Sequence, residues 1–298
     1  MRCSRSMSAV FATFALGAGC SGSGRDAAPT HRQVAAETRP AAPVAGAVGR
    51  RTLLITAHDH AFTGVPERAP AGWLTVRMVN AGREVHMLGI ARVPVGHSAR
   101  DIIDSIARNR PTPAAQDWGG PNAVGPGDTA TAGLFFPPGQ YVIACAVESA
   151  DGKRHFQKGM LAVLEVVPAA DTVAAPAGED ALVTLTDYRV DVRGALPPGT
   201  RTVRVRNAAT QGHDLQILEI LPGHSAEDAL RWFERPANEA PTARAVGGVV
   251  AMHPGQEALV TATLRPGTYL FICWVPDADG RAHFHRGMRR IVTVPQTG

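Results

Sequence analysis

CAVESADGKRHFQKGM, residues 145–160, returns as CWVPDADGRAHFHRGM at residues 273–288, with cysteine, Asp-Gly, His-Phe and Gly-Met at the same spacing. That offset of 128 residues aligns much of the chain with itself: Gly119-Gly120 with Gly247-Gly248, Pro126-Gly127 with Pro254-Gly255, Tyr141 with Tyr269. Upstream the offset is 127 and pairs Asn80 with Asn207, His86 with His213 and Gly96-His97-Ser98 with Gly223-His224-Ser225. The chain is a tandem duplication of a unit of roughly 115 residues, long enough for each copy to build a core.

Each copy reads as strand. Leu53–Thr56, Leu74–Val79, Met87–Val93, Thr129–Phe135, Tyr141–Ala144 and Leu161–Val167 are short, β-branched and bounded by turn residues. The second copy repeats this at Leu182–Thr186, Thr202–Arg206, Leu215–Leu221, Leu259–Leu264, Tyr269–Ile272 and Ile291–Val294. Short strands at this spacing predict an all-β fold of two sandwiches. One helix is expected in each: Ser98 and Ser225 are N-caps with Asp101 and Asp228 three residues on. Ile102, Ile103 and Ile106, matched by Ala229, Leu230 and Phe233, supply its apolar face. The Gly-rich stretch that follows each helix reads as a connection.

Arg2 and Arg5 precede the apolar run Met7–Leu16, too short to span a bilayer and suited to an export signal. Leu16-Gly17-Ala18-Gly19-Cys20 is similar to a bacterial lipoprotein cleavage box, which makes Cys20 a candidate for lipidation. The expected organisation is a signal peptide over 1–20, a disordered tether over 21–51, one domain over 52–167, a linker over 168–180 and a second domain over 181–295. The linker predicts two largely independent domains, and the signal predicts a periplasmic or cell-surface location, with membrane contact through the lipid alone. A net charge of +4 without any Lys/Arg run gives nucleic-acid binding no support. Outside the signal and Cys20 each repeat keeps one thiol, Cys145 or Cys273, which cannot pair within its own repeat.

A sandwich of this pattern gathers, in each repeat, a histidine after an Asn-bearing turn, a cysteine ending a Pro-Gly-x-Tyr strand, and a histidine and a methionine on the following loop. Two imidazoles, a thiolate and a weak thioether form the donor set that suits a copper electron-transfer site. Asn-x5-His, Pro-Gly-x-Tyr-x3-Cys and His-x4-Met together resemble the cupredoxins, the plastocyanin-like blue copper proteins. The resemblance covers both repeats and implies Greek-key sandwiches holding one copper each. It implies His86, Cys145, His155 and Met160 as one ligand set and His213, Cys273, His283 and Met288 as the other. Nine residues separate cysteine from the second histidine, more than in familiar blue copper proteins, and Asp151-Gly152 and Asp279-Gly280 are the turns expected to bring that histidine back.

The resulting expectation is an electron carrier that transforms no substrate, working with a redox partner or a copper-handling protein. Buried cysteine, methionine and histidine can also be plain core residues. A metal-free interaction module and a copper storage or delivery protein therefore remain alternatives. A two-domain copper oxidoreductase would need a further three-histidine site, for which His58, His60 and His253 are the available residues. His97 and His224, beside the helix caps, are weaker candidates, and His285 occurs in one copy only.

Overall fold

The computed structural model describes residues 51–108, 115–170, 175–234 and 240–296. The signal, Cys20 and the expected tether up to residue 50 lie outside the described residues, as do 171–174 of the expected linker.

The first repeat contributes β1 (Thr52–His58), β2 (Ala61–Thr63), β3 (Arg68–Pro70), β4 (Gly72–Asn80), β5 (Gly89–Arg92), α1 (Ala99–Ala107), β6 (Gln116–Gly119), β7 (Thr129–Phe136), β8 (Gly139–Ala144) and β9 (Leu161–Val167). The second contributes β10 (Ala181–Thr186), β11 (Arg189–Gly194), β12 (Gly199–Asn207), β13 (His213–Ile220), α2 (Ala226–Glu234), β14 (Ala243–Met252), β15 (Glu257–Leu264), β16 (Gly267–Ile272) and β17 (Arg289–Val294). These are two tandem Greek-key β-sandwiches of cupredoxin-like form, each with one short inserted helix. Alternation places every second residue of β4 and β10 in the core, where Leu74, Val76, Met78, Val183 and Leu185 are buried.

The sandwiches are not held by a linker alone. One sheet runs β11-β10-β12-β15-β7-β4-β1-β2 and the other β17-β16-β13-β14-β6-β5-β8-β9-β3, so both pass through both repeats. The expectation of independent domains is revised accordingly: one apolar cluster includes Ile55, Met78 and Leu134 from the first repeat and Val183, Leu215 and Val260 from the second. The junction is self-complementary. Ala132 faces Val260 in one sheet and Pro121 faces Val249 in the other, each opposite the residue 128 positions on. Asn122 N donates to Gly248 O at 3.2 Å, and Val250 N to Gly120 O at 2.8 Å, the same bond made twice. A local twofold axis thus passes between the repeats, as in an isologous dimer interface.

The Gly-rich stretch after α2 is the clearest departure from the sequence reading, since it is the ten-residue strand β14. Glycine usually weakens a strand, which is why the pattern reads as a connection. Here it permits close approach: Gly248 has φ +133°, and a Cβ on it would lie 1.9 Å from Leu215 O. Gly120 has φ +117° and its Cβ would meet Leu88 O at 2.0 Å.

Both helices are capped as expected. Asp101 N donates to Ser98 Oγ and Ser98 N back to Asp101 Oδ2, at 3.2 and 2.7 Å, and Ser225 and Asp228 do the same at 3.1 and 2.9 Å. Ile102, Ile106, Ala229 and Leu230 are buried. The side chain of Phe233 lies outside the described residues.

Candidate metal centres

Three backbone devices build each centre. Asn80, buried at the end of β4, donates through Nδ2 to Glu84 O and Val124 O at 2.9 and 3.0 Å and accepts from Gly82 N at 2.9 Å, fixing the turn that delivers His86. Asn207 does the same for His213 through Gln211 O and Met252 O, both at 2.9 Å. The Pro-Gly-x-Tyr strand is anchored by its tyrosine: Tyr141 Oη donates to Pro137 O at 2.8 Å and Tyr269 Oη to Arg265 O at 3.0 Å. The strand then runs on into the buried Cys145 or Cys273.

The long loop returns as a tight hairpin. Gly152 and Gly280, at φ +75° and +81°, turn it. His155 N then donates to Val147 O and Phe156 N to Cys145 O, both at 2.9 Å, while His283 N and Phe284 N bond Val275 O and Cys273 O at 2.8 and 3.0 Å. A single 3-10 turn follows, His155–Lys158 or His283–Arg286, closed by Gly159 or Gly287 in the left-handed region. The closing methionine is buried and tied to the other two loop residues: Cys145 N donates to Met160 O at 3.2 Å and Met160 N to His155 O at 3.0 Å. Met288 makes the corresponding bonds with Cys273 and His283, at 3.2 and 3.1 Å.

His86, Cys145 and His155 come together, and so do His213, Cys273 and His283; all six are fully buried. In the first group the Nδ1 atoms lie 3.1 Å apart, and Cys145 Sγ lies 3.8 Å from His86 and 3.4 Å from His155. In the second the nitrogens are 3.0 Å apart and Cys273 Sγ lies 3.6 and 3.5 Å from them. In both triangles the point equidistant from the three donors falls about 2.0 Å from each, the length of an imidazole bond to a divalent first-row ion and about 0.3 Å short of a thiolate bond, a difference that a small outward shift of Sγ makes up. The residues fit one metal ion per repeat.

Each imidazole turns Nδ1 inward and Nε2 toward a carboxylate, an element the sequence reading missed. His155 Nε2 is 2.6 Å from Glu84, and His86 Nε2 is 3.4 Å from Asp59. His213 Nε2 is 3.4 Å from Asp187, and His283 Nε2 the same distance from Asp277 but without hydrogen-bond geometry. A carboxylate behind a ligating histidine fixes its tautomer and raises its basicity. Asp59 and Asp187 sit in equivalent β-hairpin turns ahead of two residues with positive φ, His60 and Tyr188, whose rings stand edge-on against His155 and His283. The signal was present in Asp59-His60 and Asp187-Tyr188 but is legible only once β2 and β11 are paired. His60, Glu84 and His155 also come within metal-binding reach of one another. There the 2.6 Å contact of His155 Nε2 with Glu84 suits an N–H donor, the tautomer that frees Nδ1 for the buried centre.

Burial pushes the Cys145 thiol up to about 12 and the Cys273 thiol well above its usual value, so metal uptake must displace a proton from each. Burial first, and then the neighbouring imidazole, lowers His86 and takes His213 down to about 4; burial likewise lowers His155 and His283. The sign for stability follows. Between the ordinary histidine value of about 6.5 and about 4, the unfolded chain binds the proton that folded His213 refuses, so this group destabilises the fold as pH falls. Asp117 and Asp214, raised by burial to about 7 and about 6, act in the opposite sense, taking up protons in the folded state first. The clean test is therefore the group itself. In a histidine NMR titration of the metal-free protein, His213 should stay neutral at pH 6 and protonate near about 4; a midpoint near the ordinary value would contradict its burial.

The other histidines stand apart. His97 and His224 are exposed beside the helix caps. His58 Nε2 lies 3.1 Å from Thr63 Oγ1, His253 tilts against Trp118 and His285 against Phe284. Among the described residues His58, His60 and His253 form no common metal grouping.

No protein-family model and no curated protein matches the chain. Among solved structures, dithionite-reduced auracyanin from the photosynthetic bacterium Roseiflexus castenholzii matches 40% of this chain and 98% of its own at 24% identity, with a TM-score of 0.29. A multicopper oxidase matches 83% of this chain and 90% of its own at 15% identity, TM-score 0.26. Copper nitrite reductase from Nitrosomonas europaea matches 82% and 94% at 13% identity, TM-score 0.25. These matches correct one expectation. The reading that the chain is not an enzyme does not stand, because an oxidase and a reductase appear beside the auracyanin and the comparison does not separate carrier from catalyst. Fold and site, taken from the residues themselves, define a cupredoxin-like protein of two repeats whose paired donor sets fit copper.

Proposed function

We propose that the protein binds one copper ion in each repeat and passes single electrons through them. One observation carries this: the same triangle of two Nδ1 atoms and one Sγ, with sides between 3.0 and 3.8 Å, is built twice from buried residues. Copper would supply a one-electron couple between Cu(II) and Cu(I), for which thiolate and thioether suit one state and imidazole the other. His86, Cys145 and His155, with His213, Cys273 and His283, would hold the ions, and Met160 and Met288 would add weak thioether donors. Asp59, Glu84 and Asp187 hold three of the imidazoles by hydrogen bonds, and Asp277 sets its carboxylate 3.4 Å from the fourth, His283.

Burial favours electron transfer over metal delivery. Donors held in strands and hairpins, closed to water, change little between oxidation states, whereas a delivery site needs exposed, exchangeable ligands. The working partner is then a redox protein. Export, with Cys20 carrying a lipid at a periplasmic or cell-surface membrane face, belongs to the same proposal and rests on the sequence alone. No helix among the described residues is long and apolar enough to cross a membrane.

Copper titration of the chain without signal and tether should saturate at one ion per repeat, with an intense thiolate-to-Cu(II) absorption band. Absence of both bound copper and band would leave a metal-free sandwich and end the redox reading.

A further inference from the structure

The residue after the first histidine differs between the repeats: Met87 in one and Asp214 in the other. Met87 offers the thiol only its backbone, with N 3.5 Å from Cys145 Sγ. Asp214 is a buried carboxylate, 7% exposed, held beside Cys273 by the backbone of the next residue, Trp274. Two donors reach it, one on each oxygen: Trp274 N at 2.7 Å and Asn122 Nδ2 at 3.4 Å. Asn122 belongs to the other repeat and is fixed by further bonds to Leu215 O and Val249 O at 3.1 and 3.2 Å.

The local twofold axis exposes the asymmetry. The counterpart of Asn122 is Val250, and a Cβ on Gly89 would lie 3.5 Å from both Val250 Cγ1 and Met87 Cε. An apolar pair, Met87 and Val250, therefore stands where the second site has the polar pair Asp214 and Asn122. The remaining charge differs by one exposed cation. Each site has two carboxylates behind its histidines, and Lys158 on the first loop is matched by Arg286 on the second; the first site alone adds Arg83, 3.1 Å from Asp59 and 93% exposed, where water screens it, and the second has Thr210 there.

We propose that Asp214, locked by Asn122 of the other repeat, makes the second site the lower-potential of the two, so that an electron held by the protein settles on the first. This rests on the copper reading above. One thiolate and two neutral imidazoles leave a Cu(II) centre with one net positive charge and a Cu(I) centre with none. A fixed carboxylate in the poorly screened interior therefore stabilises the oxidised state, and the electron moves to the centre without it.

Spectroelectrochemical titration at mildly alkaline pH tests this, with Cys145→Ser and Cys273→Ser identifying each site. In the wild type the first site should be at least tenfold more reduced than the second at a matched poise, a separation of about 59 mV for one electron. Asp214→Asn should raise the second site's reduced-to-oxidised ratio at least tenfold and leave the first unchanged. Should that variant fold poorly, the double change Asp214→Met with Asn122→Val copies a pair the protein already accommodates, and it should close the gap. Two bound coppers with coincident or reversed potentials, or a gap that survives the double change, overturn the proposal while the copper reading stands. No copper at either site overturns both.

Discussion

Cys145→Ser protein should take up copper at the second site alone, and Cys273→Ser at the first alone, each losing one metal equivalent and half of the thiolate absorption. Each cysteine supplies the only sulfur anion of its triangle, and a hydroxyl does not deprotonate to replace it. Metal analysis and absorption after copper loading check this, and two retained equivalents in either variant would dismiss that cysteine as a ligand. A second consequence separates this fold from two beads on a string. Because both sheets and the main apolar cluster span the repeats, the cost of burying a serine hydroxyl, about 1–3 kcal/mol, should be felt by the whole chain. Thermal unfolding of either metal-free variant should shift as one transition, whereas two separated transitions would mean that the junction does not couple the halves.

The junction itself is the other place where one small change has a large effect. Gly248→Ala should destabilise the protein by about 3 kcal/mol or more, since it combines a positive φ with a Cβ placed 1.9 Å from Leu215 O. The Cβ would meet a backbone oxygen, so no side chain can swing aside; β13 and β14 must separate, and Leu215 lies two residues beyond His213 of the candidate centre. Gly255→Ala, also at positive φ but with nothing within 4 Å of its Cβ, is the control that isolates the steric part. The difference in denaturant midpoint between the two variants is the measurement. Similar midpoints would mean that β14 yields more easily than its packing implies.

The fold class and the gathering of histidine, cysteine and histidine were legible because the duplication aligns them at fixed spacing. Alternation in β4 and β10 and the Ser-Asp caps of the helices are local signals, and the structure follows them. What stayed hidden depends on pairing between distant segments. β14 carries Gly247-Gly248 and reads as a connection until Leu215 is seen passing against it. β2 and β11 are edge strands whose hairpins with β1 and β10 turn Asp59 and Asp187 toward histidines 27 and 26 residues away. Glu84 and Asp277 illustrate the limit of repeat alignment, since Gln211 stands where the second repeat would need Glu84. The second repeat draws its acid from the hairpin instead, at the position of Ser149.

The axis through Ala132–Val260 and Pro121–Val249 has one more implication. A homodimer of single repeats joined by the same contact would display every substitution at its interface twice, so a carboxylate would stand beside both thiols or beside neither. Covalent fusion lifts that constraint: each half inherits the ancestral contact but mutates alone. Met87 with Val250 and Asp214 with Asn122 are two solutions to one position that only a linked chain can hold at once. Duplication thus lets a symmetric scaffold carry two unlike surroundings for its thiols without changing how its halves meet.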